Sequence, residues 1–208
     1  MPGAVLTLFG AAVTVAAGLG YARDTLRGRV QPHRVTWFVS AVAAWVACAG
    51  QLAQGVVLGA VLTFGVAVVP TSIVAASFAG PGSSWRSNRL DRCCLALALV
   101  AIAVLLRSSG EAAIAMGIAA RALGAVPTVV KAWRAPRTEQ TTVYAAGVFG
   151  AVCTLVSLPA WTFCAAAFAV YFLVFCGVMT VLVRTGSRPG VAASTSATAS
   201  PAAGSSTR

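Results

Sequence analysis

Charge is what this chain has least of. Charged residues make up 9% of its 208 residues, against about a quarter in soluble domains. So little charge cannot cover a water-facing surface, which excludes a soluble globular protein. Histidine is limited to His33 and asparagine to Asn88. The carboxylates are Asp24, Asp91, Glu111 and Glu139, each at the edge of an apolar run. With no paired acids, metal cluster or nucleophile–base pair, the sequence does not read as an enzyme, and neither a metal nor a cofactor is expected. The six cysteines show no C-x-x-C spacing, and Cys93 and Cys94 are adjacent. They read as small buried hydrophobes rather than as a zinc site or a disulfide framework. The net charge of +11 does not point to nucleic acid either, because the basic residues are scattered between apolar runs and form no contiguous face.

Long apolar runs are what the chain does have. Candidate helices are Ala4–Tyr21, Val35–Leu52, Val56–Phe78, Leu90–Leu106, Ala112–Val130, Thr142–Leu158 and Trp161–Val183. A bilayer core about 30 Å thick needs about 20 such residues per crossing. The first run has no Lys or Arg before Arg23, unlike a cleaved signal peptide, and reads as a retained helix. Counted loop by loop, the first, third and fifth loops and the tail hold thirteen basic residues, and the other loops hold Arg107 alone. Positive charge is retained on the cytoplasmic side, so the N-terminus is expected outside and the C-terminus in the cytoplasm. Tyr21, Trp37, Trp133 and Tyr144 fall at expected inner boundaries and Trp161 at an outer one, the depth that amphipathic rings favour. Residues 186–208 are rich in Ser, Thr, Ala and Gly and are expected to form a disordered cytoplasmic tail.

The expected fold is therefore all-α and integral to the membrane. Seven transmembrane helices divide as three, one and three: a first repeat at 1–79, a linker helix at 80–109 and a second repeat at 110–185. A shift of 107 residues lays Gly10 on Gly117, Arg27 on Arg134 and Trp37 on Tyr144. The odd linker makes the two triplets parallel, related by an axis along the membrane normal.

This arrangement resembles the SWEET, or PQ-loop, membrane proteins. The local likeness is Pro127-Thr128-Val129-Val130-Lys131-Ala132-Trp133-Arg134, similar to the family's Pro-Gln dipeptide and the basic loop that follows it, with Thr128 in place of Gln. The stretch from Tyr21 to Trp37, including Pro32-His33-Arg34, resembles uncharacterised bacterial relatives. The resemblance implies a carrier in a bacterial cytoplasmic membrane that moves a small polar solute by alternating access. Sugar-carrying members place an Asn in the third helix of each repeat; here Val56–Phe78 and Trp161–Val183 contain none, so the solute stays open. The resemblance also implies a stacking role for Trp45, whose repeat counterpart is Val152.

Arg121 stands out among the residues themselves. It lies ten residues from both Glu111 and Lys131, about 15 Å from either at helical rise. A charge at mid-membrane costs at least ~2.5–3.5 kcal/mol, and no acid lies within a span to pair with it. Either it faces a watery cavity and binds an anionic group, or it bonds backbone carbonyls of a neighbouring helix. Gly117, Arg121, Gly124 and Thr128 share one helix face, as do Gly10, Thr14, Ala17 and Tyr21. Either stripe can line a cavity or simply pack helices closely. Candidate substrate contacts are thus Arg121, Thr14, Trp45 and Thr128. Gln51 and Gln54 are candidates for an outer gate, and Pro70 and Pro127 for hinges or static kinks. Expected partners are membrane lipid and a small polar or anionic solute; GxxxG-type spacings such as Gly55–Gly59 are compatible with a homo-oligomer. The alternative to a carrier is a non-transporting scaffold or receptor-like membrane protein.

Overall fold

A computed structural model describes residues 2–80, 89–105, 107 and 110–186. The chain is all-helical there: α1 (Pro2–Leu26), α2 (Arg34–Ala53), α3 (Val57–Ala79), α4 (Arg89–Leu105), α5 (Gly110–Arg134), α6 (Thr141–Ser157) and α7 (Phe163–Gly186), with one 3-10 turn at Pro136–Thr138. The tail expected at 186–208 lies outside the described residues beyond Gly186.

Five of these helices, α1, α2, α3, α5 and α7, are long and apolar enough to cross a membrane. At 1.5 Å per residue the 25 residues of α1 and of α5 reach about 37 Å, more than the hydrocarbon core requires. The apolar helix α6 is shorter, at 17 residues. Large apolar side chains on the outer surface, among them Phe9, Phe38, Phe64, Phe78 and Val156, suit a lipid solvent and not water. The chain is an integral membrane protein by these features.

Sequence chemistry explains the helix ends. Both α1 and α5 run past their expected apolar limits, Tyr21 and Val130, by about a turn. In α5, Glu111 sits in the first turn and Lys131 and Arg134 in the last, each favourable to the helix dipole. Gly55, with φ +72°, turns the chain between α2 and α3 in a conformation that other residues adopt only with strain. Pro136 starts the 3-10 turn after α5, where its missing N–H costs nothing. Arg34 ties the start of α2 to the end of α3: it donates to the Ser77 carbonyl and its guanidinium lies 4.8 Å from the Phe78 ring centroid.

Packing follows a definite pattern. Helix α3 touches both α1 and α2, and α7 touches both α5 and α6. Across the middle of the molecule α1 packs on α6, α2 on α5, and α3 meets α7, while α4 lies against α5 and α2. Small residues permit these contacts. A Cβ at Gly10 would stand 2.6 Å from Cys153 Cβ, one at Gly124 2.6 Å from Val39 Cγ1, and one at Gly147 2.6 Å from Cys176 Sγ. Packing substitutes here for the hydrophobic drive that lipid removes.

Candidate functional site

Arg121 projects from α5 into the centre of this packing and is 4% exposed. Its Nη1 donates to the Ser40 carbonyl of α2 at 3.0 Å. The guanidinium lies 5.9 Å from the Phe168 ring centroid and 5.5 Å from that of Phe172, both on α7, within cation–π range. One of the two roles open to it in the sequence, a bond to a neighbouring backbone carbonyl, is thus realised. Nε makes no hydrogen bond.

The guanidinium also lines a small cavity of about 30 Å³, shared with Thr14, Trp37, Pro70, Tyr144 and Cys176 among others. That is room for about two water molecules. Thr14 reaches the cavity from α1 and donates towards the Ala146 carbonyl of α6 at 3.1 Å and the Gly10 carbonyl at 2.9 Å. Thr14 and Arg121 are 107 residues apart, as are Trp37 and Tyr144, and Val69 and Cys176, three pairs that all border the cavity. The first pair also behaves alike: Thr14 bonds a main-chain carbonyl across the α1–α6 contact, and Arg121 does so across the α5–α2 contact.

Toward the arginine-rich end a polar cluster adjoins the cavity. Glu139, with a fully buried side chain, accepts hydrogen bonds from Tyr21 at 3.0 Å and Tyr144 at 2.9 Å on Oε2, and from Lys131 at 2.8 Å on Oε1. Lys131 also donates to the Gln31 carbonyl. The turn after α5 folds Glu139 back beneath the bundle, so this one carboxylate joins α1, α5 and α6. Beside it Gln140 donates to Asp24 at 2.9 Å. At the opposite end Gln51 is buried and its Nε2 lies 3.4 Å from the Cys164 carbonyl, linking the end of α2 to the start of α7.

The remaining sequence candidates lie apart. Trp45 is 41% exposed on the outside of α2, bonded to Thr71 at 3.1 Å and set edge-on to Phe64. Thr128 is buried but does not border the cavity, and its hydroxyl has no partner. Gln54 is exposed at the end of α2. Pro70 and Pro127 are both buried within helices, and of the two only Pro70 borders the cavity. Cys48, Cys153 and Cys176 are buried as expected, whereas Cys93 is exposed.

The aromatic boundaries come out differently from the sequence reading. Trp133 and Trp161 are 75% and 69% exposed, but Tyr21, Trp37 and Tyr144 are buried. They turn inward because Glu139 offers the two tyrosines a charged acceptor and the Trp37 ring packs 5.3 Å from that of Tyr21. The Glu139 cluster went unseen in the sequence, where all four acids look like solvated ends. The available signal was Glu139 as the lone acid following Lys131, Arg134 and Arg137, with Lys131 the only lysine of the chain.

A second recess of about 270 Å³ opens on the outer faces of α5 and α7, lined by valines and alanines together with Tyr171 and Phe175. It offers a polar solute almost nothing to bond. Among the described residues no group of three or more His, Cys, Asp and Glu is placed to hold a metal. No family model, curated protein or solved structure matches this chain.

Proposed function

We propose that this protein is a SWEET-like carrier that moves a small polar solute across a membrane by alternating access. In this reading seven helices cross the bilayer as two parallel triplets, α1–α3 and α5–α7, joined by α4, with the N-terminus outside and the C-terminus in the cytoplasm. The packing supports it. Under a shift of 107 residues the α1–α3 contact maps to α5–α7, α2–α3 to α6–α7, and α1–α6 to α5–α2, as a pseudo-two-fold axis requires.

The observation that carries the proposal is the central cavity, bordered by three residue pairs related by the same shift. The present conformation is then an occluded one. The Glu139 cluster closes the inner end, and Gln51 with the close approach of Gly59 to Ala165 closes the outer. Rocking of one triplet against the other opens each end in turn, and Arg121 and Thr14 contact the solute. The carrier chemistry needs no cofactor and no enzymatic step. The non-transporting scaffold reading draws its support from the small size of the cavity and its mostly apolar wall.

Uptake into proteoliposomes separates the two. Sugars, amino acids and small organic anions are offered to wild type and to Arg121→Ala. A carrier gives saturable uptake of at least one solute, lost in the variant. Absence of uptake across the whole set by folded protein favours the scaffold.

A further inference from the structure

Two of the residues that border the central cavity carry a buried N–H donor with nothing to donate to: Nε of Arg121 and Nε1 of Trp37. The Trp37 indole stands near the Tyr21 hydroxyl and the Arg121 guanidinium near the Tyr171 hydroxyl, but neither contact has hydrogen-bond geometry. Both groups are donors only. An unmade hydrogen bond on a buried donor costs about 1–3 kcal/mol, and more on a charged one.

The charge balance points the same way. An arginine does not shed its proton inside a protein, so Arg121 is a fixed cation among apolar helices. The neutral Ser40 carbonyl and two ring faces are its partners. Glu139, the buried carboxylate nearby in the fold, is already neutralised by Lys131. A largely apolar space of about 30 Å³ bordered by one unneutralised cation is complementary to an acceptor of one negative charge and about the size of one or two water molecules.

We infer that the cavity is a binding site for a small monovalent anion, held by Arg121 Nε and the Trp37 indole N–H. Halides and nitrate fit this description; large anions such as gluconate do not. The inference rests on the cavity alone and stands whether or not the protein transports.

The test uses the full-length protein in detergent, without a membrane, so transport plays no part. Sodium gluconate is replaced stepwise by chloride, bromide or nitrate at constant ionic strength, and the thermal unfolding midpoint and tryptophan fluorescence are followed. Expected is a saturable rise in midpoint with each small anion, since a ligand that binds only the folded state stabilises it by mass action. Arg121→Gln abolishes the response or weakens the apparent affinity by at least about tenfold. If that variant does not fold, Trp37→Phe keeps a ring in place, removes the N–H, and weakens binding in the same assay. A response that never saturates and merely follows the general salting order of the anions, no response at all, or an unchanged response in both folded variants overturns the site and leaves water as the occupant.

Discussion

Two buried charges are handled in opposite ways. Glu139 is surrounded by donors: two phenols and an ammonium leave it paired on both oxygens. Arg121 has one carbonyl and two aromatic faces. Removing a partner from a buried charged pair costs about 3–5 kcal/mol, so Glu139→Ala is expected to destabilise the folded protein by that much. Glu139→Gln keeps an acceptor, and Tyr144→Phe removes one charge-assisted bond; each costs about 1–3 kcal/mol. Denaturant titration in detergent measures all three. Because Tyr144 and Glu139 touch, the double variant Glu139→Gln/Tyr144→Phe costs less than the sum of the single ones. Strict additivity would show that the cluster does not act as a unit. The Glu139 role was illegible in sequence because a carboxylate at a loop edge is ordinarily solvated, and only the turn at Pro136–Thr138 brings it under the bundle.

Helix pairs in this molecule are held by what their surfaces lack. Gly150 lets α6 approach α1 until a Cβ there would stand 2.2 Å from Thr14 Oγ1 and 2.9 Å from the Gly10 carbonyl. Gly150→Ala is therefore expected to cost about 1–3 kcal/mol by overpacking, with loss of the Thr14 bond to α6. Gly20, also within a helix, has open space where its Cβ would be. Gly20→Ala is expected to gain up to about 1 kcal/mol from helix propensity. Unfolding midpoints of the two variants moving in the same direction would refute this account of the α1–α6 contact. The glycine stripes were visible in the sequence as helical spacings. Which partner each stripe meets was not, since a small-residue face fits any close neighbour.

For the protein as a whole, the proposed orientation rests on the alternation of basic loops, and chemistry can check it. In a cysteine-free background, Trp161→Cys sits at an exposed position on the expected outer side, and Arg29→Cys at an exposed one on the inner side. A membrane-impermeant maleimide added to intact cells is expected to label the first and to reach the second only after permeabilisation. The reverse pattern would invert the topology and with it the assignment of inner and outer closures.

Membrane character, helix positions and the central, unpaired Arg121 are determined by the sequence alone, because hydropathy and charge are sums over local residues and need no partner. The inward turn of Tyr21, Trp37 and Tyr144, the exterior place of Trp45 and the burial of Glu139 were decided only by tertiary structure. A residue near a helix end can face lipid, water or protein with the same periodicity. Which of these it faces depends on the helix that arrives from elsewhere in the chain, and here α1, α5 and α6 converge on one carboxylate.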